Sequence, residues 1–373
     1  MRISATYICP VRGLSGFEPP EQNRLRQATR VVQDLGIERL LLPVFEEPVM
    51  GSIRAKVQYL DGLVQALDCM MEQDLTTWLI APAQKVLGLD CVPPHLVRGF
   101  PDPNAGRVFL EGKIRNVYPF DWWNDPSYIQ KRVMLFREVA AAVCGHPALS
   151  GWVVMDRALE WARPELDTAD LVLKCYLGEI RERDDNVAIY LGIGWSELLD
   201  SGIARVLAQQ GDGVRIGGLD RQPRGLGIPF NLKGEILLVA YLGTLAQWLF
   251  ELPIEMEIGW GVMNNQSDPE EIVEALKILA QYSVAGLNWL NLIDPDPRLR
   301  DEPPWALQPG LDRVGLLNHG LEPKEHVEIW LKEIRSNTPL DGTSDFIDIS
   351  TQEYLDDPQT HFLRLWDHFQ ESI

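Results

Sequence analysis

The chain has 373 residues, 46% hydrophobic and 24% charged, a globular composition without the polar bias of a disordered chain. Its 34 Lys+Arg against 54 Asp+Glu leave a formal net charge of -20, so a nucleic-acid backbone or an anionic membrane surface is repelled and neither is an expected partner. Apolar runs such as 236–241 and 139–143 fall far short of the roughly 20 residues that span a bilayer.

In chain order, short β-rich runs alternate with helical patterns. The strands are expected at Ile3–Ile8, Arg39–Pro43, Thr76–Ala81, Gly151–Met155, Val187–Gly192, Gly213–Ile216, Pro253–Ile258 and Gly286–Asn291. Between them, Ala55–Met71, Ser127–Val143, Asp170–Arg183, Leu232–Phe250 and Pro269–Tyr282 carry apolar residues at spacings of three and four, the period of an amphipathic helix. Asp268 before Pro269, Glu270 and Glu271 reads as a helix start, with a cap, proline in the first turn and acids at the positive dipole end. This alternation predicts the α/β class and a (β/α)8 TIM barrel over residues 1–335. The competing doubly wound sheet needs a glycine-rich phosphate turn after its first strand, where only Gly13 and Gly16 occur.

Two segments stand outside the repeat. The third connection, Gln84 to Asn124, is long and rich in Pro and Gly, as suits an elaborated wall beside a barrel mouth. Residues 336–373 form an acidic C-terminal extension with Arg364 as its single base, and His361–Phe369 within it has a short amphipathic helical pattern. That helix either folds back onto the barrel or docks a protein partner.

Side chains at the carboxyl ends of barrel strands face the site. In the seventh strand, Glu255 and Glu257 share one face by period two, opposite Ile254, Met256 and Ile258, so both glutamates are expected to point into the barrel. Carboxylates buried there must be paired, protonated or at work, and Arg215 of the sixth strand is a ready partner. The fourth strand ends in Asp156-Arg157 with Glu160 and Trp161 one turn on; Asp156 reads equally as a general acid or as an ion partner. Glu46 and Glu47 after the second strand are acids of the mouth or solvated loop charges. Trp161, Trp195, Trp260, Trp289 and Trp305 fall at or beyond strand ends, with Trp122 and Trp123 in the long loop. A ring of indoles around an acidic mouth is a sugar-binding surface, since C–H faces stack on π-faces while carboxylates take hydroxyl hydrogen bonds. The six histidines are scattered, so no metal or cofactor is expected, and His146 and His319 read as turn or capping residues. Five well-separated cysteines without a CxxC pair are expected to be reduced and mostly buried, and with no signal peptide evident they favour a cytoplasmic location.

Several segments together resemble a known family. Trp123-Asn-Asp-Pro126, a long helix and His146-Pro-Ala-Leu-Ser-Gly-Trp152 are similar to the fourth βα unit of the retaining TIM-barrel β-glycosidases of the cellulase and mannanase group. Glu179-Ile-Arg-Glu-Arg-Asp184, Pro253 to Gly259, Gly286-Leu-Asn-Trp289 through Asp294, Pro304-Trp305, and Gly315 to Gly320 with Pro323-Lys324 match later segments in order, over residues 120 to 330. The resemblance implies hydrolysis of β-linked carbohydrate by two glutamates about 5 Å apart. Glu257 then occupies the nucleophile position. Where that family has Asn-Glu on the fourth strand, this chain has Asp156-Arg157, and arginine has no proton to give at neutral pH. Three accounts follow. Asp156 or Glu160 supplies the proton and the protein is a glycosidase; the barrel has lost hydrolysis and binds a glycan or a partner; or it runs another chemistry with Glu257 as base and Arg157 beside Arg215 holding an anion. Trp123, Trp195, Trp260, Trp289 and Trp305, with Arg157, Arg215 and Glu255, are the expected substrate contacts.

Overall fold

The computed structural model describes residues 1–11, 22–97, 102, 105–110, 112–117, 122–221, 223, 225–229, 231–264, 268–282, 284–336 and 344–373. Gly13, Gly16 and Asp341 lie outside the described residues.

Eight parallel strands close into a barrel: β1 (Arg2–Thr6), β2 (Arg39–Pro43), β3 (Thr76–Ala81), β4 (Leu149–Val154), β5 (Ala188–Gly194), β6 (Gly213–Gly217), β7 (Ile254–Ile258) and β8 (Gly286–Trp289). Closure comes from β1 pairing with both β2 and β8, Arg2 opposite Gly286. These are the eight strands expected, and no end moves by more than two residues. The expected TIM barrel is therefore the fold. Strands buried on both faces need no alternation, and Arg-Leu-Leu-Leu-Pro of β2 has little. β7 alternates because its inward face carries charge: Ile254, Met256 and Ile258 are fully buried outside the ring while Glu255 and Glu257 point within.

Helices wrap the ring. Pro269–Leu279 begins as anticipated, Asp268 accepting from the Glu270 backbone N–H. Leu232–Phe250 is buried almost all round, which one layer of neighbours cannot accomplish. The second layer is the C-terminal extension. In its last helix, Pro358–Ser372, the residues Phe362, Leu365, Trp366 and Phe369 recur at three and four and all are buried. They close around Tyr241, whose ring lies 5.3 Å from Phe362 and 5.2 Å from Trp366, and whose hydroxyl donates to the Phe362 carbonyl. Trp366 Nε1 donates to the Leu226 carbonyl at 3.1 Å and the Tyr354 hydroxyl to that of Leu198 at 3.0 Å, so the extension is bolted to the barrel by polar contacts as well. Each large side chain so buried contributes about 1.5–3 kcal/mol. The helix's apolar face is thus occupied by the barrel.

The long third connection builds a four-stranded sheet from Lys85–Val86, Leu89–Cys91, Arg107–Leu110 and Lys113–Asn116. Its first turn, Leu87-Gly88, has φ of 48° and 75°, the positive pair that a two-residue hairpin with the right-handed strand twist requires. This turn hangs over the carboxyl ends of the barrel strands, bearing out the expectation of a wall at the mouth. Among the described residues no helix is long and apolar enough to cross a membrane.

Candidate functional site

Inside the barrel the charges meet in two tiers. The lower tier joins β2 and β7: Arg39 Nη1 donates to Glu255 Oε2 at 2.9 Å, both side chains nearly inaccessible. Above it, Arg215 of β6 stands between two carboxylates, Nη1 on Asp156 Oδ1 at 2.9 Å and Nη2 on Glu257 Oε2 at 2.8 Å. Trp260 completes the set by donating Nε1 to Glu257 Oε1 at 3.1 Å. Burial pushes the Asp156 carboxyl above its ordinary range, against the pull of Arg215. Arg215 itself stays charged: burial opposes its charge, but Asp156 and Glu257 outweigh that and raise its pKa further.

A second network caps the first. Arg157 donates Nε to Glu160 Oε1 at 2.7 Å and Nη2 to Glu160 Oε2 at 3.0 Å, and Nη1 faces Asp220 Oδ1 at 3.2 Å. Lys85, from the overhanging hairpin, reaches Glu160 Oε2 at 2.7 Å and Asp90 Oδ1 at 3.0 Å. Burial would raise the Glu160 carboxyl, but Arg157 and Lys85 together hold it below its usual range. The backbone is strained to deliver these groups, with Met155 at φ 63° and Arg157 at φ 55°, left-handed values that cost a non-glycine residue about 1–2 kcal/mol each. Space is cleared by glycine. A Cβ on Gly218, at φ 92°, would stand 2.8 Å from Arg157 Nη2, and one on Gly194 would overlap Glu160 Oε1.

The outcome is a closed axial site. The cavity lined by Asp156, Arg157, Arg215, Glu257, Trp260 and the hairpin residues from Lys85 to Gly88 holds about 20 Å³, room for about one water molecule. A sugar ring does not fit there in this conformation.

Beside it the mouth is open. The loops after β4, β5 and β6 frame a cleft of about 470 Å³ whose walls include Glu160, Trp161, Arg163, Trp195, Glu197 and Arg221. Glu197 sits at its base, 1% exposed, with Arg163 Nη2 at 3.1 and 3.2 Å from its two oxygens. Burial pushes its carboxyl up to about 7 even so, leaving it poised between neutral and charged at physiological pH. Trp161 and Trp195 are partly exposed here and fixed through their indole N–H groups, to Asp90 Oδ1 at 2.8 Å and to the Arg221 carbonyl at 2.7 Å. The arrangement can stack a flat polyol face and offer it charged acceptors and donors.

The structure thus brings together Glu257, Asp156, Arg215 and Trp260 in one tier and Arg157 with Glu160 in the next, while Glu255 belongs to the separate Arg39 pair. The expected ring of indoles is reduced. Trp123, Trp289 and Trp305 are 0–2% exposed, and the N–H groups of Trp123 and Trp289 serve the Ala162 and Val314 carbonyls. An indole at a strand end or in a mouth loop can turn inward to fill the loop layer, and those three do, as does Trp122. Glu46 is likewise buried, within 3.5 Å of Arg132. Four residues were missed: Arg39, Lys85, Glu197 and Asp220. Arg39 opens β2 in the inward register of Leu41, a signal that was available; Lys85 and Asp220 act only once the hairpin and the β6 loop have folded together. His146 is a cap as expected, its Nδ1 accepting from the Ala148 N–H at 3.2 Å, and the five cysteines are free thiols.

No established family's sequence profile matches the chain, nor does the sequence of any curated protein. Solved structures do match. A GH5_18 protein from Streptomyces cattleya, in complex with GlcNAc, superposes with a TM-score of 0.68 at 15% identity, over 90% of this chain and 79% of that one. A GH5_18 protein from Bifidobacterium longum subsp. longum gives 0.70 at 15% identity, over 91% and 81%. An exo-β-1,4-mannosidase from an Opitutaceae bacterium gives 0.68 at 13%, over 91% of this chain and 60% of its own. The barrel has the fold of these TIM-barrel glycosidases, the same group that the segments from residue 120 to 330 resemble.

Proposed function

We propose that this protein is a glycosidase-like barrel that binds β-linked carbohydrate in the cleft above β4–β6 and does not cut it at Glu257. One observation carries this reading: Arg157, at the position where the resembled family has its acid/base glutamate, is held between Glu160 and Asp220, so the group at that position has no proton to deliver. The cavity of about 20 Å³ over Glu257 supports it, and so does the kinship in fold with a structure that holds GlcNAc.

A glycosidase using Asp156 as proton donor is the second reading, favoured by the raised carboxyl of that residue. Against it, Asp156 Oδ1 is already bound by Arg215 beneath the cap. Glu160 is a poorer donor still, ionised between two cations. The anion-pocket chemistry lacks free positive charge, since Arg157 and Arg215 each hold two carboxylates.

Calorimetric titration with β-1,4-linked disaccharides tests the proposal. Trp195→Ala is expected to weaken binding about tenfold through lost stacking, while Glu257→Gln leaves the affinity of wild type. Binding that survives Trp195→Ala and is lost in Glu257→Gln would move the sugar to the axial site and refute it.

A further inference from the structure

The cleft does not end at its polar wall. Trp195 and Arg221 also belong to an adjoining recess of about 660 Å³, lined further by Leu199, Pro223, Phe362 and Leu363. Both spaces lie in the size range of small-molecule sites, and they share a wall without sharing a character. One holds Glu160, Arg163 and Glu197; the other is apolar apart from Arg221 and Gln359. The apolar part is shared between the barrel loops, which supply Leu199 and Pro223, and the C-terminal helix, which supplies Phe362 and Leu363. The helix's buried face grips the barrel, and Leu363, one residue past Phe362, is left 42% exposed and lines this recess. Trp195 lies 6.1 Å from the Phe362 ring, so the ridge between the two spaces is itself aromatic and fixed by its bond to the Arg221 carbonyl. A polar pocket continuous with an apolar one selects a molecule with the same division.

We propose that the ligand is a glycoside with an apolar aglycone, the sugar resting against Trp161, Trp195 and Glu197 and the alkyl or aryl group lying between Trp195 and Leu363. The inference rests on the carbohydrate reading above and adds to it the second half of the molecule and a role for the C-terminal extension: the extension supplies Phe362 and Leu363 to the aglycone wall.

The test compares methyl and n-octyl β-D-glycosides in matched gluco, manno and galacto pairs, below the micelle concentration, with octane-1,2-diol as a chain without a sugar. Octyl glycosides are expected to bind at least about tenfold more tightly than their methyl partners, since each buried methylene adds to the affinity. Leu363→Arg, on an exposed position, should abolish that difference and leave methyl glycoside binding and the melting temperature unchanged. Octyl and methyl glycosides that bind alike overturn the inference, and if the methyl compounds do bind, the carbohydrate reading stands without it. Octanediol binding as tightly as octyl glycoside overturns it from the other side, because no sugar is then being recognised. A wild type that sediments as a dimer and a Leu363→Arg variant that sediments as a monomer would assign the recess to a second copy of the chain and equally refute the proposal.

Discussion

Arg215 and Arg163 each hold two carboxylates at the same end of the barrel, under opposite conditions. Arg215, with 2% of its side chain accessible, is locked between Asp156 and Glu257, and the space around it admits about one water. Arg163, with 42% accessible, reaches across the open cleft to Glu197 and Asp200. A buried guanidinium cannot be exchanged for solvent, so its partners are fixed as part of the packing; an exposed one yields to a ligand at little cost. Strand ends supply charge all round a TIM barrel, but it is the loops that decide which charges stay available. Here the hairpin at Leu87-Gly88 and the cap of Arg157 close over the axial set, while the charges of the β4–β6 loops stay accessible in the cleft where we propose that ligand binds.

The largest test of that contrast is Arg215→Ala. It strands Asp156 and Glu257 as buried carboxylates, and urea denaturation is expected to show a loss of about 3–5 kcal/mol. A loss under about 1 kcal/mol would mean that the axial charges are solvated and the site is not closed.

Acid titration gives the next effect. Glu235 accepts hydrogen bonds from the Gly259, Trp260 and Gly261 N–H groups and so shapes the loop that presents Trp260. Burial pushes its carboxyl up to about 7 from an ordinary 4.5. The folded state therefore binds a proton that the unfolded chain has released between those values; the stabilisation is whole below pH 4.5 and disappears as pH rises through 7. Its span is on the order of 3 kcal/mol for this fully buried group. Melting temperature measured from pH 4.5 to 8 should fall with rising pH, and Glu235→Gln should flatten the curve. Glu197→Gln should flatten it as well, since burial pushes that carboxyl up to about 7 too. A curve that neither substitution changes would show that neither carboxyl is buried as described.

The smallest effect is expected from Arg163→Ala. Glu197 already titrates near 7 and answers the loss by taking up a proton, so the cost should stay within about 1 kcal/mol at pH 7. A penalty matching that of Arg215→Ala would show that the cleft is as rigidly paired as the axis.

Much of this was legible in the sequence. The barrel was, because strands and helices are local patterns repeated eight times, and the inward pair Glu255 and Glu257 was, because a period of two leaves no alternative beside Ile254, Met256 and Ile258. The helical pattern of His361–Phe369 was visible too, though its seat around Tyr241 was not; Leu232–Phe250 reads as amphipathic like the other helices, and its burial almost all round shows only once the C-terminal extension is seen packed over it. What escaped depended on contacts between distant segments. Nothing local to Lys85 says that it will meet Glu160, and nothing in Trp289 or Trp305 says whether an indole at a strand end turns to solvent or into the loop layer. The departure Asp156-Arg157 was readable, and its meaning emerged only with Asp220 and Glu160 on either side of the guanidinium.

The most direct test is a rapid-mixing assay of wild type and Glu257→Gln with 2,4-dinitrophenyl β-glycosides. Such a leaving group needs almost no protonation, so a live nucleophile would give a burst of phenolate even without an acid partner. The account predicts no burst from either protein. A burst in wild type that disappears in Glu257→Gln would show that Glu257 still attacks the sugar and would contradict a barrel that binds without cutting.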